Sequence, residues 1–263
     1  MIKQLEIKVL PVYLRALSCI RRKPFVLAHK WGKMYYTGDK DMQEVYYHVH
    51  GDAWQENELK RLSDWIPEGS VVVDVGANMG FMAILFSKLV GATGQVISLE
   101  PSKKIFAKLE RNIQENDPGN VKCLNLGCGS HSSKERLHAI SDASGHSTLS
   151  PSAALENESD TEDIQMEKLD TITSSLDRID FLKIDTEGFE SEVLRGAENV
   201  LKSKRPIVYI ELSDEYRESS ESSIRILKEN GYVFLTEPNL SEAHNGDNFL
   251  AVPQEKFPAD RDD

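Results

Sequence analysis

The sequence predicts a doubly wound α/β fold, a mostly parallel sheet with helices on both faces, and three observations carry the prediction. Val71 to Val75 (VVVDV) is a β-branched run broken only by Asp74, the pattern of a central parallel strand buried on both faces. It ends in Gly76-Ala77-Asn78-Met79-Gly80, a turn of small residues that lets the backbone bend sharply and approach a ligand, and the apolar stretch FMAILFSKLV follows at once. Strand and helix signals then alternate along the chain, as parallel β-sheets require.

Seven strands are expected, at residues 71–76, 95–100, 121–126, 180–185, 206–212, 232–236 and 248–252, with helices over 81–89, 102–116, 190–202 and 221–230. Pro101 and Ser102 open the second of these helices, a first-turn proline beside a capping hydroxyl. The short runs YVFLTE and NFLAV flank Asn245-Gly246, a hairpin signal. Upstream, FVLAHKWGKMYYT reads as short strands around a Lys30-Trp31-Gly32-Lys33 turn, and DAWQENELKRLSDWIPEG as a helix. Trp31, Tyr35, Tyr36, Tyr46, Tyr47 and Trp54 make that region aromatic, for core packing or for stacking on a sugar.

Two segments fall outside the alternation. Ser130 to Lys168 is a long excursion between the third and fourth strands; its flanks, KERLHAI and IQMEKLDTI, can pair at its base, and the acidic stretch Glu156 to Asp163 is a solvated loop or a mobile lid. At the start, Lys3, Lys8, Arg15, Arg21, Arg22 and Lys23 face a single acid, Glu6, with Val9, Tyr13, Leu14, Leu17 and Ile20 near helical spacing. This segment is too charged to span a bilayer. It reads as a helix that covers the domain or a second copy of the chain, or as a basic amphipathic helix on an anionic membrane. Pro11 weakens both. The chain divides into an N-terminal α/β extension, 1–55, a cofactor domain, 56–255, and an acidic tail, 256–263.

Composition is that of a globular enzyme-sized domain, with 40% hydrophobic and 28% charged residues. A net charge of −12 speaks against nucleic acid as a partner, since phosphate binding needs a basic surface. Cys19, Cys123 and Cys128 form neither a closed disulfide set nor a zinc motif, so a reducing cytoplasm is the expected location, with peripheral membrane contact through the basic segment as the variant.

The spacing in the glycine turn selects a cofactor. Dinucleotide sites use G-x-G-x-x-G with the pyrophosphate seated at the second glycine. Here Asn78 stands at that place and Asp74 lies two residues before Gly76, an arrangement hostile to pyrophosphate. A cationic amino-acid portion fits instead, because Asp74 and the turn carbonyls accept from an ammonium while turn amides meet a carboxylate. Glu100 ends the next strand, about 20 residues beyond Gly80, where an acid accepts ribose hydroxyls. Together these point to S-adenosylmethionine, held by Asp74, Gly76, Ala77, Asn78 and Gly80 at the methionine end and by Glu100, Pro101 and Ser102 around the ribose. A tight βα turn without a ligand is the bland alternative.

Downstream, IDFLKIDTEGFESEVLRGAENVLKSKRPIVYIEL resembles the signature half of the FkbM family of methyltransferases. The resemblance runs in order from about Ala53 to Val252 through DVGANMG, LEPS, NLGCG, SGHSTL, KIDTEGFESEVLRG and RPIVYIE, and KIDTEGFE is its specific part. It implies a Rossmann-like class I methyltransferase fold, a seven-stranded mostly parallel sheet with an antiparallel last strand. It also implies that Asn125, Gly127 and Cys128 flank the adenine, that Gly145, Ser147 and Leu149 lie near the cofactor, and that oxygen is the methyl acceptor, on a sugar, glycan or hydroxylated natural product.

Ligands of open α/β sheets bind at the carboxyl ends of the strands, where Asp185 and Glu187 emerge. Methyl transfer to an alcohol needs alignment with the sulfonium and a base for the hydroxyl proton. Asp185 or Glu187 can be that base; His146 or His29 can serve from a loop. No metal ligand is assigned. Magnesium on Asp185, Glu187 and Glu211 is the lesser option, with Glu211 paired to Lys183 or Arg195 as its bland counterpart. Glu187 can also simply open the following helix, and Glu190 and Arg195 read as helix surface. The competing functions are a catalytically silent cofactor-binding module that docks to a partner, an N-methyltransferase, and a nicotinamide-dependent oxidoreductase, which Asn78 disfavours.

Overall fold

A computed structural model describes residues 24–36, 53, 56–139, 147–148, 161–241 and 247–257. The N-terminal basic segment, His146, most of the acidic excursion and the last six residues lie outside the described residues, as do His48, His50, Tyr46, Tyr47 and Trp54.

The chain opens with a hairpin, β1 (Phe25–His29) and β2 (Gly32–Tyr36), then a helix, α1, through residues 56–62. The alternating unit follows: β3 (Val71–Val75), α2 (Phe81–Val90), β4 (Gln95–Leu99), α3 (Lys103–Asn116) and β5 (Val121–Leu124). The excursion supplies β6 (Gly127–Cys128), β7 (Ser133–Ala139), β8 (Ser147–Thr148) and β9 (Thr161–Glu167), and a short helix α4 (Leu169–Ile172) returns the chain. The second half contains β10 (Phe181–Ile184), α5 (Glu190–Arg195), β11 (Ile207–Leu212), α6 (Arg217–Glu229), β12 (Tyr232–Phe234) and β13 (Asp247–Pro253).

Seven strands form one sheet in the order β12-β13-β11-β10-β3-β4-β5. β10, β3, β4, β5 and β11 run parallel, and β13 is inserted antiparallel between β11 and β12, so the expected antiparallel last strand is present. Alternation along the strands sorts the core into two layers. Val73, Val75, Leu182, Ile184 and Ile210 pack against Val193, Leu194 and Leu227 on one face. Val72, Val96 and Phe181 pack against Leu62, Met82, Leu85 and Phe86 on the other. The flanks of the excursion pair as foreseen, with β7 antiparallel to β9 in a separate four-stranded sheet.

The expected helix over 190–202 is two pieces. A Cβ on Gly196 would sit 2.0 Å from the Gly129 carbonyl oxygen, so the chain passes tightly there, and Asp170 then accepts from the amides of Asn199 and Val200, capping a new turn that ends in a π-helical stretch, Val200–Lys204. Among the described residues no helix is long and apolar enough to cross a membrane.

Candidate active site

The turn after β3 has the left-handed backbone its residues foretell: φ is 78° at Gly76, 51° at Asn78 and 93° at Gly80. Glycine and asparagine tolerate that region best. Gly76 is the tightest point, since a Cβ there would lie 1.8 Å from the backbone oxygen of Asp185. The ends of β3 and β10 are thereby in backbone contact.

The amides of this turn are not open to a ligand carboxylate, contrary to the expectation from sequence. Gly76 and Ala77 both donate to the Leu99 carbonyl at 3.0 and 2.9 Å, Asn78 to Glu100 Oε2 at 3.0 Å, Met79 to Asn78 Oδ1 at 2.7 Å and Gly80 to the Ala77 carbonyl at 3.0 Å. The turn is tight enough to close on β4, so it contributes shape and carbonyls rather than donors. Glu100 is bonded from both sides, because Ser102 N donates to Oε1 at 3.0 Å. Burial pushes its carboxyl up to about 7 against those two amides. Asn125 supports the same corner, its amide nitrogen reaching the carbonyls of Glu100 and Pro101, each at 2.9 Å.

Ser102 caps α3, accepting from Ile105 N, and its hydroxyl donates to Glu162 of β9 at 3.0 Å. Glu162 also accepts from Lys103 N at 2.8 Å, so the excursion is fastened to the start of α3. Gly127 and Cys128 pair with Met166 and Glu167 of β9 and are buried. The Cys128 thiol is pushed up to about 12 by burial, which makes it inert as a nucleophile.

Asp74 is fully buried, and neither of its carboxylate oxygens has a hydrogen-bond partner. Burial pushes its carboxyl up and Lys183, with Nζ 3.6 Å from Oδ1, opposes the push. An orphaned buried carboxylate beside a glycine turn fits the ammonium of an amino-acid cofactor.

Lys183 of β10 and Asp185, the residue just past its end, lie together, and Lys183 Nζ donates to Asp185 Oδ2 at 3.0 Å. Asp185, Glu187 and Glu211 converge, one oxygen from each lying within 4.8 Å of the others. Burial, then the charges of Asp185 and Glu187, push Glu211 up to about 11. Hard oxygen donors in this geometry can also take a divalent cation. Lys183 lies against Asp74 and Asp185, and Arg195 bonds Ser191, Ser222 and Glu192.

Glu187 has φ 54°, strained for a residue with a Cβ, and Gly188 has φ 97° under the ring of Tyr216. Glu190 holds this loop. Expected on the helix surface, it is 2% exposed and accepts from Thr186 N at 3.0 Å, Thr186 Oγ1 at 3.0 Å and Gly188 N at 3.1 Å. The signal was present in Thr186-x-x-x-Glu190, an acid in the first turn of a helix reaching back to the residues before it.

The hairpin β1–β2 covers the cofactor turn. Asn112 of α3 accepts from Tyr35 N at 2.5 Å and donates to the Met79 carbonyl at 2.7 Å, and His29 bonds the Tyr36 hydroxyl at 2.6 Å. His29 is thus committed within the hairpin, beside Phe81.

The sheet order, the glycine turn and the acid at the end of the second strand define a class I methyltransferase that uses S-adenosylmethionine. Comparison with known proteins narrows this. The methyltransferase FkbM domain matches residues 74–234, and the chain belongs to that family. It is 25% identical over 189 residues to Methyltransferase 1 of Beauveria bassiana, covering 65% of this chain and 75% of that one. It is 29% identical over 159 residues to the hexuronic acid methyltransferase AglP of Haloferax volcanii, covering 57% of this chain and 59% of that one. The crystal structure of a proposed rRNA-methylase from Clostridium thermocellum shares the fold, with a TM-score of 0.51 at 11% identity over 75% of this chain and 93% of that one.

Proposed function

We propose that this methyltransferase acts on oxygen, at a hydroxyl of a sugar, glycan or hydroxylated natural product. The observation that carries this reading is the convergence of Asp185, Glu187 and Glu211 at the strand ends, one lysine away from Asp74. An alcohol, unlike a free amine, needs a base as its bond to carbon forms, and Asp185 is that base, with Glu211 keeping its own proton. Asp74 receives the cofactor's ammonium; Glu100 accepts from its ribose. Asn78 and Gly80 shape the turn, and Pro101, Ser102 and Asn125 hold Glu100 in place. When bound, the cofactor supplies a methyl already activated on a sulfonium. The protein's task is alignment and removal of one proton.

The Haloferax relative's action on a hexuronic acid supports a sugar acceptor. The acidic rim favours a neutral hydroxylated molecule over a free carboxylate. A net charge of −12 supports an acceptor other than nucleic acid. A cytoplasmic location, with contact to a membrane or a second copy through the basic residues 1–23, rests on the sequence alone.

Magnesium is the alternative occupant of the rim. With Glu211 protonated and Lys183 on Asp185, the negative charge of the rim is reduced without it, so turnover is expected to survive chelator. Loss in chelator with recovery on added magnesium would install the metal. The main test is methyl transfer from labelled S-adenosylmethionine to a panel of neutral glycosides, hexuronates, phenols and amines, with Asp185→Asn alongside. Product methylated on oxygen, reduced about a hundredfold or more in the variant, is expected. Product on nitrogen alone, or full turnover by the variant, would overturn the reading.

A further inference from the structure

We propose that Lys183 is a positioning residue that couples the cofactor end of the site to its acceptor end. The inference rests on the assignment of Asp74 to the cofactor and Asp185 to the acceptor proton. Lys183 is the polar member of a buried strand: Phe181, Leu182 and Ile184 around it are fully buried, and its own side chain is 5% exposed. A lysine at such a place is costly unless its charge is answered. Register answers it, because Lys183 stands directly beside Asp74 on β3 and beside Tyr209 on β11.

Its ammonium lies 3.0 Å from Asp185 Oδ2 and 3.6 Å from Asp74 Oδ1. The first is a hydrogen bond; the second is an ion pair too long to be one. Lys183 therefore offsets the charge of Asp74 while leaving its buried oxygens without a hydrogen-bond partner. The Tyr209 hydroxyl is taken by Glu58 of α1 at 2.5 Å, and Arg61 lies over the same ring at 5.5 Å, so the third side of Lys183 is a fixed wall. One cation then sets the separation of two carboxylates with different tasks. An ammonium arriving at Asp74 meets a lysine already drawn toward Asp185, and the same contact fixes the direction in which Asp185 faces the acceptor.

The test is calorimetry with S-adenosylmethionine and steady-state kinetics on the full chain, for Lys183→Met, Lys183→Arg, Asp74→Asn and the Asp74→Asn/Lys183→Met double variant. Lys183→Met is expected to raise the cofactor Kd about tenfold or more and to lower kcat at saturating cofactor by a similar factor. Lys183→Arg keeps the charge but not the point geometry, so Kd should return to within about threefold of wild type while kcat stays low. The double variant should bind no worse than Asp74→Asn alone, as expected for coupled groups. A folded Lys183→Met protein with Kd and kcat within twofold of wild type would overturn the inference, and so would losses that add in the double variant. If Lys183→Met does not fold, the arginine variant's separation of Kd from kcat decides. Wild-type protein that binds no S-adenosylmethionine would remove the cofactor assignment itself, a distinct failure.

Discussion

Glu100 should make cofactor affinity depend on pH around neutrality. Its carboxyl is pushed from the ordinary 4.5 up to about 7, burial outweighing the amides of Ser102 and Asn78. At about 1.4 kcal/mol per pH unit, that difference is about 3 kcal/mol. The folded protein holds the proton more tightly than the unfolded chain. Stability from the neutral carboxyl is therefore complete below 4.5 and is lost as pH rises through about 7. With Glu100 accepting from the ribose as proposed, cofactor binding runs the other way, since hydroxyls donate to the ionised form. Between pH 8 and pH 6 the ionised fraction falls from about nine-tenths to about one-tenth, so the Kd for S-adenosylmethionine should rise about tenfold. Calorimetry at pH 6, 7 and 8 in buffers of different ionisation enthalpy reads both quantities, with about half a proton released per cofactor at pH 7. Glu100→Gln should bind more weakly at pH 8 and show no such trend. Equal Kd at pH 6 and pH 8 with no proton release by wild type would refute the reasoning.

Three further outcomes are expected. Gly76→Ala combines a positive φ, costing about 1–2 kcal/mol, with a Cβ 1.8 Å from a backbone oxygen that the sheet holds in place. It should lower thermal stability by more than about 3 kcal/mol and abolish cofactor binding; a melting curve within 2 °C of wild type contradicts this. Glu190→Ala leaves Thr186 N and Gly188 N without their acceptor, each worth about 1–3 kcal/mol, and should reduce kcat far more than it changes cofactor Kd. Asn112→Ala should release the hairpin, seen as faster amide exchange over residues 25–36 and weaker cofactor binding. Unchanged protection there would remove Asn112 as the link.

What the sequence revealed and what it concealed divide along physical lines. β3 and its turn were legible because both signals are local: a β-branched run, then residues that tolerate positive φ. The antiparallel β13 came from family likeness, and no periodicity in NFLAV distinguishes its direction. The break at Gly196 was invisible because its cause is a carbonyl at Gly129, far away in the chain. Glu190 was misplaced for a related reason. In a helix as short as Glu190–Arg195 the first turn is mostly cap, and periodicity has too few residues to mark a face. The meeting of Asp185, Glu187 and Glu211 was anticipated from strand ends, but the place of Lys183 beside Asp74 required register. His146 lies outside the described residues and keeps only its place in the sequence.

Helix α3 holds more than the corner around Glu100. Its first residues receive Glu162 from the excursion, and its later residues Asn112 and Asn116 receive the hairpin through Tyr35 and Lys33. Both additions to the basic α/β unit are thus moored to one rod, at separate points, on the side of the sheet away from β10 and β11. A rod that stays still lets whatever is moored to it change length and sequence without disturbing the strand ends where the methyl is passed.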